Sequence, residues 1–222
     1  MTNGGRSNES EEIAVYLGLG SNLGDREANL REAIARIKTL GLEIARESSI
    51  YETEPVGFTD QPWFLNQVIE TMILAGLTSE HGRVLGDPEA IAKVQAVALL
   101  SELLKIEHEM GRERTNASGP RVIDIDLLLF GDMIIGHSKE DIAHSKEVKE
   151  GLPIDLTGIV VPHPRLHLRR FVLEPLCEIA PALVHPVQRR TCREMLAGLD
   201  DDSVVRISKH RFSTTSQLDQ RE

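Results

Sequence analysis

Two aspartates stand one residue apart in "GPRVIDIDLLLFGD", residues 119–132, inside a run that is otherwise apolar. Successive side chains of a strand point to opposite faces. Asp124 and Asp126 therefore share one face, about 7 Å apart, while Ile123, Ile125, Leu127 and Leu129 point the other way, into a core. Two carboxylates at that spacing repel each other unless a cation lies near. Hard divalent ions such as Mg²⁺ take oxygen ligands and are commonly held by one or two carboxylates plus substrate phosphates. Taken alone, an Asp-x-Asp pair is more often a solvated strand edge.

The neighbours sharpen the reading. "GRERTNASGPR" brings Arg112, Arg114 and Arg121, and "HPRLHLRRF" brings His163, Arg165, His167, Arg169 and Arg170 with no acid among them. In a chain of net charge −10 this is concentrated positive potential. The planar fork of arginine binds phosphate oxygens bidentately, so carboxylates for a metal beside arginines for phosphate suggest a nucleoside triphosphate site. The bland alternative is surface pairing of these arginines with glutamates, worth about 0–1 kcal/mol each. His163 and His167 have a spacing that could serve zinc, but Pro164 lies between them and no further Cys or His ligand is near; zinc is not expected.

The rest of the composition bounds the answer. A chain of 222 residues, 41% hydrophobic and 27% charged, fits one globular domain with insertions. There is no apolar run of about 18 residues, and the N-terminal "MTNGGRSNESEE" lacks the apolar segment of a signal peptide, so a cytoplasmic protein with no membrane partner is expected. Cys177 and Cys192 fit no Cys-x-x-Cys pattern and are expected to be reduced. The net negative charge argues against nucleic acid as a partner.

The elements that must position the charged residues read as follows. "EIAVYLGLG" is a first strand over 12–18, and Asp25 caps a helix over 26–40 with Leu30, Ile34 and Ile37 on one face and Gly41 as its stop. "LEIARESSIYET" is a second strand and "WFLNQVIETMIL" a third, with no helix between them. A helix over 89–110 carries Leu99, Leu103, Ile106 and Met110 on one stripe, and "RVIDIDLLLFGDMII" is the fourth strand. The order β-α-β-β-α-β is that of a ferredoxin-like α+β sandwich, here over residues 12–212. Insertions are expected at about 75–89 and 136–158, with loose tails at 1–11 and 213–222. "GLGSNLG" resembles a dinucleotide-binding glycine loop, as in a dinucleotide-dependent oxidoreductase. That loop needs a parallel β-α-β unit, whereas here the second strand runs on into a third.

"YLGLGSNLGDREANLREAI", "SSIYETEPVGFTDQPWFLN", "EMGRER…GPRVIDIDLLLFGD" and "VPHPRLHLRRFVLEPLCEIAP" together resemble the successive motifs of the 6-hydroxymethyl-7,8-dihydropterin pyrophosphokinase family, over most of residues 13–75 and 101–182. The resemblance implies a ferredoxin-like fold and transfer of the terminal pyrophosphoryl group of ATP to the hydroxymethyl oxygen of the pterin, with release of AMP, in folate biosynthesis. By position, Asp124 and Asp126 would hold two Mg²⁺ ions. Arg112, Arg114 and Arg121 would form an arginine loop, Arg121 clamping phosphates from the rigid side and Arg112 closing late; Arg112, Arg121 and Asp126 would carry the catalysis. His163 and Arg169 match residues that contact the nucleotide phosphates, and Glu107 one near the nucleotide. Thr53, Val56, Phe64, Asn66 and Phe171 match the pterin pocket, with Asn22 close by.

Two positions depart from the family pattern. Many members have a tryptophan directly before the Gly-Pro-Arg, where this chain has Ser118. Losing that stack costs about 0.5–1.5 kcal/mol, and Phe58 or Trp63 is expected to replace it in part. Where many have a tyrosine after the histidine of "VPH", this chain has Pro164, which removes one hydroxyl contact to phosphate. The alternative function is a ferredoxin-like nucleotide-binding module that has lost catalysis. ATP and the pterin are the expected partners, and the chain is expected to be a monomer or weak homo-oligomer.

Overall fold

The computed structural model describes residues 12–74, 87–112, 119–136 and 159–208. Most of both expected insertions, both tails, Arg114 and Ser118 lie outside the described residues.

Among the described residues six strands form one sheet: β1 (Glu12–Ser21), β2 (Glu43–Glu47), β3 (Tyr51–Thr53), β4 (Phe64–Leu74), β5 (Asp124–Phe130) and β6 (Val205–Ile207). Their order is β5-β1-β4-β3-β6, with β2 also on β4, and every pairing between them is antiparallel. The antiparallel β1 and β4 remove the dinucleotide reading of the glycine turn. The architecture is thus a mixed α/β fold with an antiparallel sheet covered by helices.

Helices α1 (Arg26–Thr39) and α2 (Pro88–Glu109) cover one face. Asp25 caps α1 by accepting from the Ala28 N–H at 3.0 Å, and Gly41 turns the chain out of it at φ +81°. The expected stripes, Leu30, Ile34 and Ile37 on α1 and Leu99, Leu103 and Ile106 on α2, are buried against Val15, Leu17, Leu19, Leu65 and Ile69. The other face is covered by two elements the periodicity reading missed, α3 (Arg170–Ile179) and α4 (Cys192–Ala197). Val172, Leu173, Leu176 and Ile179 of α3 pack on Tyr16, Val68, Leu128 and Leu129. Cys177 and Cys192 are free thiols, and burial pushes that of Cys192 up to about 12.

Two expectations about the strands need correction. The run 42–53 is not one strand. Glu47 pairs with Ile69 but Tyr51 pairs with Asn66, so four steps on one side meet three on the other. The extra residue is absorbed at Ser48, whose hydroxyl accepts from the Val68 N–H at 3.0 Å in place of the ladder. Leu129 also does not face with Ile125 and Leu127. Leu17 pairs with Leu127 and Tyr16 with Leu129, so Leu128 is an inserted residue and Leu129 swings to the face that packs on α3.

Candidate active site

The register of the three central strands builds the floor of the site. On the face that looks toward α3, Gly18 lies between Asp126 of β5 and Val68 of β4, and Gly20 lies between Asp124 and Asn66. A Cβ at Gly20 would stand 2.7 Å from Asn66 Oδ1, and one at Gly18 would meet Leu128 Cδ1 at 3.3 Å. The glycines therefore keep the floor low where the aspartates and Asn66 rise on either side. The alternation that placed both aspartates on one face holds, because the bulge at Leu128 comes after them.

Around Asp124 the charges interlock. Arg121 Nη1 lies 2.6 Å from Asp124 Oδ2, and Arg112 pairs with the other oxygen and with Glu107. Glu107 is buried on α2 and accepts from the Ile125 N–H at 2.7 Å, which locks the helix end to the strand. Asp126 is met more loosely, with His163 Nε2 and Arg169 Nη1 each 3.9 Å from its oxygens. A third of the Asp126 side chain faces the open cleft, yet protein crowds it closely. Burial, followed by the charge of Asp124, pushes its carboxyl up to about 7. His163 is carried by the bulge, its N–H donating to the Leu128 carbonyl at 2.9 Å. Burial, then Arg169 and Arg165, holds its imidazole down to about 4, and its Nδ1 accepts from the Arg165 N–H at 3.2 Å, so a neutral ring presents Nε2–H toward Asp126.

Two cavities, of about 460 and 570 Å³, meet here and share Arg112, Arg121, Asp124, Asp126 and His163 as their common wall. The smaller is lined by Thr53, Val56, Phe64, Asn66 and Phe171. Its two aromatic rings each lie under a guanidinium, Phe64 beneath Arg121 at 5.9 Å and Phe171 beneath Arg169 at 5.3 Å. The larger has Glu107 and an apolar end made of Leu100, Leu104 and Ile159 to Val161.

The donor set suits a hard divalent cation. No group of three or more Cys, His, Asp or Glu side chains with metal-ligand spacing occurs among the described residues. Mg²⁺ needs none, because it fills its octahedron from one or two carboxylates, phosphates and water. A carboxyl raised to about 7 beside a second carboxylate is a place where positive charge stabilises.

Most of the residues singled out by sequence come together on these walls. Asn22 does not line either cavity. It is buried, accepts from the Arg121 N–H at 2.7 Å and donates to Gln61 and the Pro62 carbonyl, so it ties the Arg121 backbone to the loop before β4. Neither expected substitute for the missing tryptophan reaches the cavities: Phe58 is half exposed on its loop, and the Trp63 ring lies 4.9 Å beneath Arg206. Sequence reasoning missed Gly18 and Gly20 as the floor, and Glu54, Gln61 and Leu168 as further lining. The glycines were visible in "GLGSNLG", but only the register shows what they face.

The sequence model of the 7,8-dihydro-6-hydroxymethylpterin-pyrophosphokinase (HPPK) family matches residues 16–80 and 89–181. A 2-amino-4-hydroxy-6-hydroxymethyldihydropteridine pyrophosphokinase of Methylorubrum extorquens is 38% identical over 194 residues, 87% of this chain and 98% of the relative. One of Bacillus subtilis is 36% identical over 198 residues, 89% and 91%. The folic acid synthesis protein fol1 of Pneumocystis carinii is 36% identical over 180 residues, but this chain spans only 19% of it. An HPPK-DHPS crystallised with substrates shares the fold at TM-score 0.51 and 16% identity, over 84% of this chain and 43% of that one. Matched along most of its length at such identities, the chain belongs to the 7,8-dihydro-6-hydroxymethylpterin-pyrophosphokinase family.

Proposed function

We propose that this protein transfers the pyrophosphoryl group of ATP to 6-hydroxymethyl-7,8-dihydropterin, giving AMP and the pterin diphosphate in folate biosynthesis. Family membership supports the reaction. The observation that carries it is the pair of cavities with one shared wall of two carboxylates, two arginines and a neutral histidine. A donor and an acceptor placed on either side of that wall meet where the charge is greatest.

In this reading ATP occupies the larger cavity, its base at the apolar end near Leu100 and Leu104 and its phosphates over the shared wall. The pterin lies over the glycine floor with Phe64 and Phe171 against its faces, and Asn66, its amide held by a 2.7 Å bond to Thr53 Oγ1, reads the ring's polar edge. The hydroxymethyl oxygen attacks the β-phosphorus, the bond from that phosphorus to the α–β bridging oxygen breaks, AMP leaves with the oxygen, and the hydroxyl proton is released. Arg121, oriented by Asn22 and the Gly119 carbonyl, clamps the transferred group, and Arg112 turns from Asp124 to the phosphates as they arrive. His163 Nε2–H and Arg169 donate to phosphate oxygens on the Asp126 side. Asp124 and Asp126 would hold Mg²⁺, two ions being expected, and the bound metal would neutralise phosphate charge and hold the group in line.

The finer architecture is read as ferredoxin-like: with β2 and β3 taken as one interrupted strand, the sheet order becomes fourth-first-third-second. We take 12–212 as one pyrophosphokinase domain acting in the cytoplasm, as a monomer or weak homo-oligomer. The test is incubation with ATP labelled at the β- and γ-phosphates, Mg²⁺ and the hydroxymethyl dihydropterin. Unlabelled AMP and doubly labelled pterin are expected. ADP would overturn the reaction, and binding of both substrates without AMP would make the chain a module that has lost catalysis.

A further inference from the structure

The family match ends at residue 181, yet the segment beyond it reaches back to both sides of the smaller cavity. On one side is the start of α3, which carries Phe171 and follows Arg169. Arg169 sits at the N-cap position, and its side chain makes no capping bond. The acceptor comes from 31 residues further on: Asp201 Oδ2 takes the Arg170 N–H at 2.8 Å while its Oδ1 takes the Ser203 N–H at 2.9 Å. The Arg169 side chain is thereby left to lie over Phe171 and reach toward Asp126.

On the other side is the loop between Thr53 and Phe64, both of which line the cavity. Strand β6 adds to the sheet edge at β3, with Val205 opposite Thr53 and Ile207 opposite Tyr51. At the loop's start, Glu54 N–H donates to the Val204 carbonyl at 3.2 Å and Glu54 Oε1 accepts from Val204 N–H at 2.8 Å. At its end, Arg206 covers the Trp63 ring at 4.9 Å while holding Glu52 at 2.7 Å. The other oxygen of Glu52 takes Arg26, which in turn donates to the Trp63 carbonyl at 2.7 Å.

We propose that residues 201–206 form a clasp that sets the distance between the two walls of the pterin cavity, with Asp201 and Arg206 as positioning residues for pterin binding. The inference rests on the assignment of that cavity to the pterin. The clasp residues line neither cavity, but the walls they join, Thr53 and Phe64 on one side and Phe171 on the other, line only the smaller. It therefore predicts a split in affinity that general loosening of the fold would not produce.

The experiment compares wild type, Asp201→Ala, Asp201→Asn and Arg206→Ala for pterin Kd and KM, ATP KM and kcat, well below each variant's measured Tm. In Arg206→Ala, loss of these contacts raises pterin Kd and KM about three- to tenfold, with ATP KM and kcat within twofold; Asp201→Ala gives the same rise for the pterin and, through Arg169, a smaller rise in ATP KM. Asp201→Asn, which keeps an oxygen for the Arg170 N–H, recovers most of the loss. Should Asp201→Ala not fold, Arg206→Ala, a substitution on an exposed edge strand, reads the same split. Unchanged pterin affinity in the folded variants, or equal rises for both substrates, overturns the clasp. A wild type that turns over alongside such variants leaves the functional reading standing, whereas a wild type that binds no pterin sinks both.

Discussion

The carboxylate and amide at the ends of the glycine floor have different tasks. In the proposed reaction Asp126 acts on the charge of the group in flight, whereas Asn66 makes a contact already present in the ground state. Asp126→Ala should therefore lower kcat by several kcal/mol of transition-state stabilisation, about 10³-fold, while Asn66→Ala raises pterin KM by about 2–10-fold with a smaller change in kcat. Equal losses of kcat in a steady-state assay would contradict the division. Gly20→Ala is the sharper probe of the floor. Its Cβ would lie 2.7 Å from Asn66 Oδ1, so the amide must turn aside and pterin KM should rise at least as much as in Asn66→Ala. An unchanged pterin KM would show that the floor has slack. The shared face of Asp124 and Asp126 was legible because strand alternation needs only two residues of context. The role of Gly20 was not, since it depends on which residue of β4 lies across from it.

At the scale of elements, α1, α2 and the long strands were legible from period and caps, and α3 was not. Its apolar positions Val172, Leu173, Leu176 and Ile179 have helical spacing, but Pro175 interrupts the run and no capping side chain precedes it. The start signal is supplied by Asp201, which local sequence cannot show. Strand β6 is three residues long and reads as a strand only once β3 is beside it. The irregularities at Ala45, Ser48 and Leu128 are tertiary adjustments of the same kind. Because α3 is held by its apolar stripe, Leu173→Ala, at a fully buried position, should cost about 2–5 kcal/mol in urea unfolding. A cost below about 1 kcal/mol would mean that α3 does not depend on this face.

Over the whole molecule, the sheet lays two cavities edge to edge, so substitutions sort by which cavity they line. Arg121 lines both and Phe171 only the smaller. Arg121→Ala should raise KM for both substrates, and Phe171→Ala that for the pterin alone. A Phe171→Ala variant with an equally raised ATP KM would contradict the assignment of the two cavities. Against the chain's net charge of −10, the arginines gathered at the site, Arg112, Arg121, Arg165 and Arg169, are where the proposed polyphosphate would be held, and that contrast is visible in the sequence. The division into two cavities was not, because it needs β1, β4, β5 and α3 assembled. The most direct measurement is a crystal structure with Mg²⁺, a non-hydrolysable ATP analogue and the hydroxymethyl pterin. The expected result is a cation held at Asp124 and Asp126 beside the phosphates, with the ring between Phe64 and Phe171 and its hydroxymethyl oxygen aimed at the β-phosphorus. Both acids still turned to Arg112 and Arg121, with the phosphates bound elsewhere, would contradict it.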